Sequence, residues 1–79
     1  MDWQPMKPIF TNRGFVRYEF DDRYGEPCSL QESSLAFEDA IWLGTNKDGN
    51  RMHLTKEHVA EILPILQHFM DTGKLPRPE

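Results

Sequence analysis

Apolar and polar residues alternate along several short segments of this chain, and this alternation constrains the fold more than any other feature. Between Val16 and Asp21 every second residue is aromatic or β-branched, a period typical of a strand with one buried face. The segments over residues 28–33, 40–43 and 51–54 have similar strand character. The sequence therefore predicts four short strands.

The predicted strands are separated by segments rich in turn-forming residues. Residues 21–27 combine carboxylates with Gly25 and Pro27, and residues 45–50 contain the pair Asp48-Gly49. These residue types favour tight turns, so each segment is expected to close a hairpin. A connector over residues 34–39 would join the two hairpins.

Near the C-terminus the spacing changes to that of an amphipathic helix. Thr55 is a favourable N-cap, and Glu57 places a carboxylate in the first turn, where the helix dipole stabilises it. Gly73 suits the position after the last turn, so the helix is predicted to cover about Lys56 to Thr72. Its apolar stripe comprises Val59, Ile62, Leu63, Leu66, Phe69 and Met70.

Together these elements predict an α+β fold, namely a four-stranded antiparallel sheet of two hairpins with one C-terminal amphipathic helix packed on one face. The 79 residues suffice for one core only. We expect a single ββββα domain over residues 14–75, preceded by an arm over residues 1–13 and followed by a tail over residues 76–79. Trp3, Ile9 and Phe10 are expected to anchor the arm on the domain.

The charge and cysteine content narrow the functional classes. Nine Lys and Arg residues against thirteen Asp and Glu residues give a net charge of -4, which argues against a protein that coats nucleic acid. The single cysteine, Cys28, cannot form an internal disulfide, and no zinc-ligand spacing occurs. Neither a signal peptide nor an apolar run near the roughly 20 residues that cross a bilayer is evident. We expect a soluble cytoplasmic protein without cofactor or metal.

In an antiparallel sheet, successive residues of a strand point to opposite faces. The apolar face, which the helix would cover, comprises Val16, Tyr18, Phe20, Cys28, Leu30, Ile41, Leu43, Met52 and Leu54. The polar face comprises Arg17, Glu19, Ser29, Gln31, Ser33, Trp42, Arg51 and His53.

The polar face combines an indole, two guanidiniums, an imidazole, an amide and hydroxyls. An indole stacks on a base, arginine binds phosphate bidentately, and amides and hydroxyls read polar edges. The candidate ligand- or partner-binding residues are therefore Arg17, Ser29, Gln31, Ser33, Trp42, Arg51 and His53. A merely solvated face is the simpler interpretation, and Trp42 could instead cover the arm or a symmetric partner. A tryptophan flanked by two arginines favours binding, because tryptophan is enriched in interface hot spots.

No catalytic motif accompanies these residues. His53, His58 and His68 lack metal-ligand spacing, and the alternation places Cys28 on the apolar face, as expected for a core thiol. The carboxylates around Arg23 are interpreted as an acidic turn rather than an acid–base pair. We expect a protein that is not an enzyme. The predicted helix is acidic, which argues against sequence-specific DNA binding.

Several segments of the chain form a recognisable pattern over about residues 13–75. They are Arg13-Gly14-Phe15, Phe20-x-Asp22-Arg23-Tyr24-Gly25-x-x-Cys28-Ser29-Leu30-Gln31-x-Ser33-Ser34-x-Ala36, Ile41-Trp42-Leu43-Gly44, Arg51-Met52-His53-Leu54-Thr55, Val59, Leu63-Pro64, Leu66, Phe69 and Thr72-Gly73-Lys74-Leu75. The pattern resembles a family of very small proteins encoded in bacteriophage and prophage genomes. Many members carry a longer insertion where this chain has the turn over residues 45–50.

The resemblance implies a phage accessory protein without catalytic activity. Such proteins often act stoichiometrically on host systems, as inhibitors of CRISPR effectors or as sponges for the nucleotide signals of bacterial immunity. An anti-defence binding protein in the host cytoplasm is therefore expected, with a host defence protein or a small nucleotide as its partner. Trp42 would stack on the ligand. The other candidates would bind phosphate or an acidic epitope (Arg17, Arg51, His53) or set specificity (Ser29, Gln31, Ser33).

Two other functions are compatible with the sequence. In the first, acidic residues mimic a nucleic-acid backbone and block a nuclease. These residues are Glu19, Asp21, Asp22, Glu26, Glu32, Glu38 and Asp39. In the second, the polar face builds a homodimer or docks on a virion component, which would make this a structural phage protein.

Overall fold

Five strands and one helix build residues 5–79, the part of the chain that the computed structural model describes. The elements are β1 (Pro8–Phe10), β2 (Val16–Asp21), β3 (Pro27–Glu32), β4 (Ala40–Thr45), β5 (Arg51–Thr55) and α1 (Lys56–Thr72). The strands form one sheet in the order β1-β2-β3-β4-β5, and every neighbouring pair is antiparallel. The predicted α+β class with its C-terminal helix is confirmed, but the sheet has five strands rather than four.

The additional strand comes from the segment predicted to be an arm. Pro8–Phe10 pairs with β2 at the edge of the sheet, a position that tolerates proline. Ile9 and Phe10 have exposed side chains, so backbone pairing rather than apolar anchoring holds this segment. Trp3, the third expected anchor, lies outside the described residues.

The register of the strands confirms the predicted division into two faces. Arg17 pairs with Gln31, Gln31 with Trp42, and Trp42 with His53. These four residues therefore form one row across the polar face. The residues that alternate with them, including Leu30, lie on the apolar face.

The hairpin between β4 and β5 depends on Gly44. This residue pairs with Arg51 and has a φ of +148°, a conformation that side chains disfavour. A Cβ at Gly44 would lie 3.0 Å from both Arg51 Cα and the carbonyl oxygen of Asn50. The close approach of the backbones of β4 and β5 thus requires glycine at this position. The predicted turn between these strands contains a short 3₁₀ segment, Lys47–Gly49.

The helix begins directly where β5 ends. The Thr55 side chain accepts a hydrogen bond from the His58 N–H, and the Thr55 N–H donates to His58 Nδ1 at 3.0 Å. Gly73 adopts the left-handed conformation at the other end, with φ +78°. These two caps give α1 the predicted bounds.

An ion pair joins the first turn of α1 to the connector between β3 and β4. The distance between Lys56 Nζ and Asp39 Oδ2 is 2.9 Å, and this contact raises the pKa of Lys56.

The expected packing of the helix over the apolar face is wrong. Helix α1 contacts mainly β5, and the apolar residues of its central and C-terminal turns are exposed. No residue separates β5 from α1, whereas such connections commonly contain about two to six residues, so the chain cannot reverse over its own sheet. The radius of gyration is accordingly 14.4 Å, against about 12 Å for a compact chain of this length.

Within residues 5–79, no helix is long and apolar enough to span a bilayer.

Replacing Gly44 by alanine should destabilise the protein by about 1–3 kcal/mol, because the added Cβ meets neighbouring backbone and the backbone conformation is strained. Urea unfolding followed by circular dichroism measures this effect. Gly49→Ala is the matched control, since Gly49 has a φ of +69° but no atom within 4 Å of the added Cβ. An equal loss in both variants would show that the close approach to Arg51 contributes nothing.

Candidate binding site

Gln31 lies at the centre of the polar face. Its Oε1 accepts hydrogen bonds from Arg17 Nη1 at 2.8 Å and from Arg51 Nη1 at 3.0 Å. Two guanidiniums, one from β2 and one from β5, therefore converge on one amide oxygen. Each guanidinium has five N–H donors, so these contacts use only part of its capacity.

The approach of Arg51 to Gln31 depends on the strand between them. Arg51 pairs with Gly44 of β4, and the missing side chain leaves room for the arginine to extend towards β3. Arg17 is also oriented by Glu19, because its Nε donates to Glu19 Oε1 at 3.1 Å. The two arginines thus reach Gln31 from opposite sides in defined orientations.

Trp42 lies next to this pair and stacks on His53. The ring centroids are 3.9 Å apart and the ring planes differ by 7°. The guanidinium carbon of Arg51 lies 5.6 Å from the centroid of the Trp42 ring, within the range of a cation–π interaction. His53 Nε2 lies 2.9 Å from Ser33 Oγ, which continues the chain of contacts. Six of the seven predicted site residues are therefore connected.

Ser29 is the exception among the predicted site residues. It lies on the polar face but is fully buried, and its Oγ donates to Asn46 Oδ1 at 2.7 Å. This hydrogen bond joins β3 to the turn before β5. Ser29 therefore supports the β4–β5 hairpin and does not reach a ligand on the surface.

A groove runs along the polar face beside Trp42. It has a volume near 360 Å³ and is lined by Thr11, Asn12, Arg13, Phe15, Arg17, Gln31, Ser34 and Trp42. Its lining contains two guanidiniums, two amides, two hydroxyls, a phenyl ring and an indole, but no carboxylate. His53, which stacks on the indole of Trp42, is not part of the lining. The groove is a cationic site in an acidic protein.

The sequence interpretation missed the residues that the β1–β2 turn contributes to this groove. The Gly14 N–H donates to the Thr11 carbonyl at 2.9 Å, and Thr11 in turn donates to the Phe15 carbonyl. This turn places Arg13 and Phe15 beside Gln31, with the Arg13 guanidinium carbon 5.8 Å from the centroid of the Phe15 ring. Arg13-Gly14-Phe15 is part of the sequence pattern described above, but its distance from Gln31 depends on the strand pairing.

The remaining candidates for chemistry have structural partners. Asp22 Oδ1 accepts hydrogen bonds from the backbone N–H groups of Tyr24 and Glu26, at 2.8 and 3.0 Å, and so closes the β2–β3 turn. Cys28 is buried, as predicted, and its thiol lies 3.3 Å from the Glu26 carbonyl. Burial, together with the charges of Asp22 and Glu26, raises the pKa of the Cys28 thiol. Across residues 5–79, no three His, Cys, Asp or Glu side chains cluster so as to hold a metal ion.

A larger cavity, with a volume near 550 Å³, lies on the other side of the sheet. It opens between the β3–β4 connector and the first turns of α1, and Ile41, Leu54 and Val59 contribute its apolar lining. Glu32, Glu38 and Asp39 are the acidic residues of its lining. Ser33 is the one candidate residue of the polar face that contributes to its lining.

No protein-family model, no curated protein and no solved structure matches the chain. The resemblance to small phage proteins therefore stays a prediction. The arrangement of side chains on the polar face is the basis for assigning a function.

In the folded protein, the Cys28 thiol should react at least about tenfold more slowly with a disulfide reagent at pH 8 than in urea, because it is buried and its raised pKa disfavours the thiolate. Absorbance of the released aromatic thiolate measures the rate. Equal rates in the folded and the unfolded protein would show that Cys28 is accessible and contradict its placement in the core.

Proposed function

We propose that this protein is a phage-encoded, non-catalytic binding protein that inhibits a bacterial immune system by sequestering a nucleotide signal on its polar face. The observation that carries the proposal is the convergence of the Arg17 and Arg51 guanidiniums on Gln31, directly beside the half-buried indole of Trp42. A nucleotide has the two matching parts, an anionic phosphate and a flat base. The phage origin rests on the resemblance of the sequence pattern.

The cationic groups of the groove supply the phosphate-binding part. Arg13 and Arg17 line the groove, and Arg51 contacts Gln31 from the opposite side. Guanidiniums bind phosphate through paired, charge-assisted hydrogen bonds, which are about twice as strong as neutral ones. No carboxylate lines the groove, and the neighbouring Glu19 binds Arg17 through Nε, which leaves other N–H groups of Arg17 for an anion.

Trp42 supplies the stacking part. His53 lies parallel to the indole on one side, and the groove adjoins Trp42 on the side of Gln31 and Arg17. Stacking of a base on an aromatic ring contributes about 1–3 kcal/mol. The volume near 360 Å³ lies at the small end of ligand sites, which favours a single nucleotide unit in each groove.

The contacts of the acidic residues disfavour a nucleic-acid mimic. Asp22 accepts backbone hydrogen bonds within its turn, Asp39 pairs with Lys56, and Glu19 pairs with Arg17. Glu32 Oε1 accepts a hydrogen bond from the Val16 N–H at 2.6 Å. These carboxylates stabilise turns and strand contacts of the protein, and they do not form a regular row of free charges.

A second candidate function is binding of a host effector, such as a CRISPR nuclease, through the same face. The stacked rings of Trp42 and His53 and the neighbouring Arg51 would also suit a protein interface. Tryptophan and arginine are enriched in interface hot spots. The two functions differ in the ligand that the isolated protein retains. Native mass spectrometry of protein from infected cells distinguishes a bound small molecule from a co-purifying protein.

The nucleotide proposal is tested by calorimetric titration with 5′-AMP, 5′-GMP, a cyclic dinucleotide and inorganic phosphate. At least one nucleotide should bind more tightly than phosphate. Trp42→Ala and Arg51→Ala should each weaken this binding at least about tenfold, consistent with the loss of one stacking or charge-assisted contact. The fold should persist in Arg51→Ala, because Arg17 still satisfies Gln31.

Arg23→Ala is the matched control for the titration, since Arg23 is an exposed arginine of the β2–β3 turn outside the groove. It should bind like the original protein. Binding of phosphate alone would contradict the stacking role of Trp42. Unchanged nucleotide binding in both the Trp42 and Arg51 variants would refute the site.

A further inference from the structure

The apolar stripe of α1 is largely exposed in the single chain, and most residues of the apolar face of the sheet are partly exposed. Leu66, Phe69 and Met70 are 50%, 51% and 72% exposed, and Met52 on the sheet is 53% exposed. Within residues 5–79, Cys28 is the one apolar residue that is buried. Soluble monomers rarely expose contiguous apolar surface of this extent.

The accessible surface area shows how much surface a partner could cover. The chain exposes 6927 Å², whereas a compact monomer of 9.3 kDa exposes about 5,000 Å², which leaves an excess of about 1,900 Å². The extended residues after α1 account for part of this excess. A stable interface buries about 800 Å² on each partner, less than half of the excess. The excess is therefore large enough to include a complete dimer interface.

The chain cannot cover this surface by itself. Helix α1 follows Thr55 without a connecting residue, and its first turns enclose the cavity near 550 Å³ with Ile41 and Leu54 instead of filling it. A helix of 17 residues is about 25 Å long, and five strands at about 4.8 Å spacing span about 19 Å. One helix is thus long enough to cross the whole sheet of another molecule.

We propose that the protein is a homodimer in which α1 of each copy packs on the apolar face of the other. A two-fold axis lets both copies bury a helix stripe and a sheet face at the same time. A second copy is the favoured occupant because this chain itself presents both complementary surfaces, with matching dimensions. An unrelated partner would have to cover the helix and the sheet separately.

The proposed dimer leaves the candidate binding site free. The polar face lies on the opposite side of the sheet from the apolar face, so each dimer presents two grooves to solvent. The interface does not depend on the nature of the ligand. Dimerisation and nucleotide binding can therefore fail or succeed independently.

Light scattering during size-exclusion chromatography, from micromolar to millimolar protein, tests the proposal. The full chain should have twice the mass of the 9.3 kDa monomer. Leu66→Glu, in the centre of the apolar stripe, and Met52→Glu, on the sheet, should each lower the dimer population at least about tenfold. A monomer at every concentration of the original protein would overturn the proposal, whether or not the variants fold.

Two control variants locate the interface. His68→Glu adds the same side chain on the opposite side of α1 and should leave the dimer intact, as should Trp42→Ala on the polar face. Dissociation by Leu66→Glu without any effect of Met52→Glu would indicate a contact between helices alone and overturn the packing of α1 on the sheet. Loss of the dimer in Trp42→Ala would place the interface on the polar face and likewise refute this arrangement.

Discussion

Backbone pairing of β2, β3, β4 and β5 decides which side chains of this protein can meet. Because side chains alternate between the faces, a shift of any strand by one residue would move its whole set to the other side. In the observed register, Arg17, Gln31, Trp42 and His53 form one row, and Arg51 reaches the same row over Gly44. The hydrogen bonds, the stacked rings and the groove all follow from this pairing.

The distribution of charge gives the acidic protein a cationic site. The net charge of -4 describes the whole chain, but several carboxylates are bound within turns or to neighbouring elements. The groove beside Trp42 is lined by arginines and lacks carboxylates. Short-range contacts, rather than the net charge, therefore determine which ligands this surface can hold. Screening by salt strengthens this distinction, since it weakens the long-range field more than direct contacts.

The two faces of the sheet divide the proposed roles between them. The polar face carries an organised set of recognition groups, and the apolar face carries surface that a single copy leaves exposed. Small domains often gain stability by association, since one short chain buries too little apolar surface. Dimerisation through the apolar face would stabilise the sheet that positions the groove. Each face would then depend on the other through the backbone that they share.

The sequence by itself determined the elements with local signals. Alternation located four strands and sorted their residues into two faces, and the caps at Thr55 and Gly73 set the bounds of α1. These patterns involve neighbours in the chain, so they are visible without a structure. They also identified six of the residues that the polar face connects.

Tertiary structure alone decided the features that depend on distant partners. Pro8–Phe10 becomes a strand because the edge of β2 is available to it, and Arg13 joins the groove through that pairing. The burial of Ser29 depends on Asn46, seventeen residues along the chain. The position of α1 depends on the direction in which β5 ends. Periodicity shows which side of a helix is apolar, but the surface that covers it is set by the geometry of the connection, and a connection without a loop turns that side away from its own sheet.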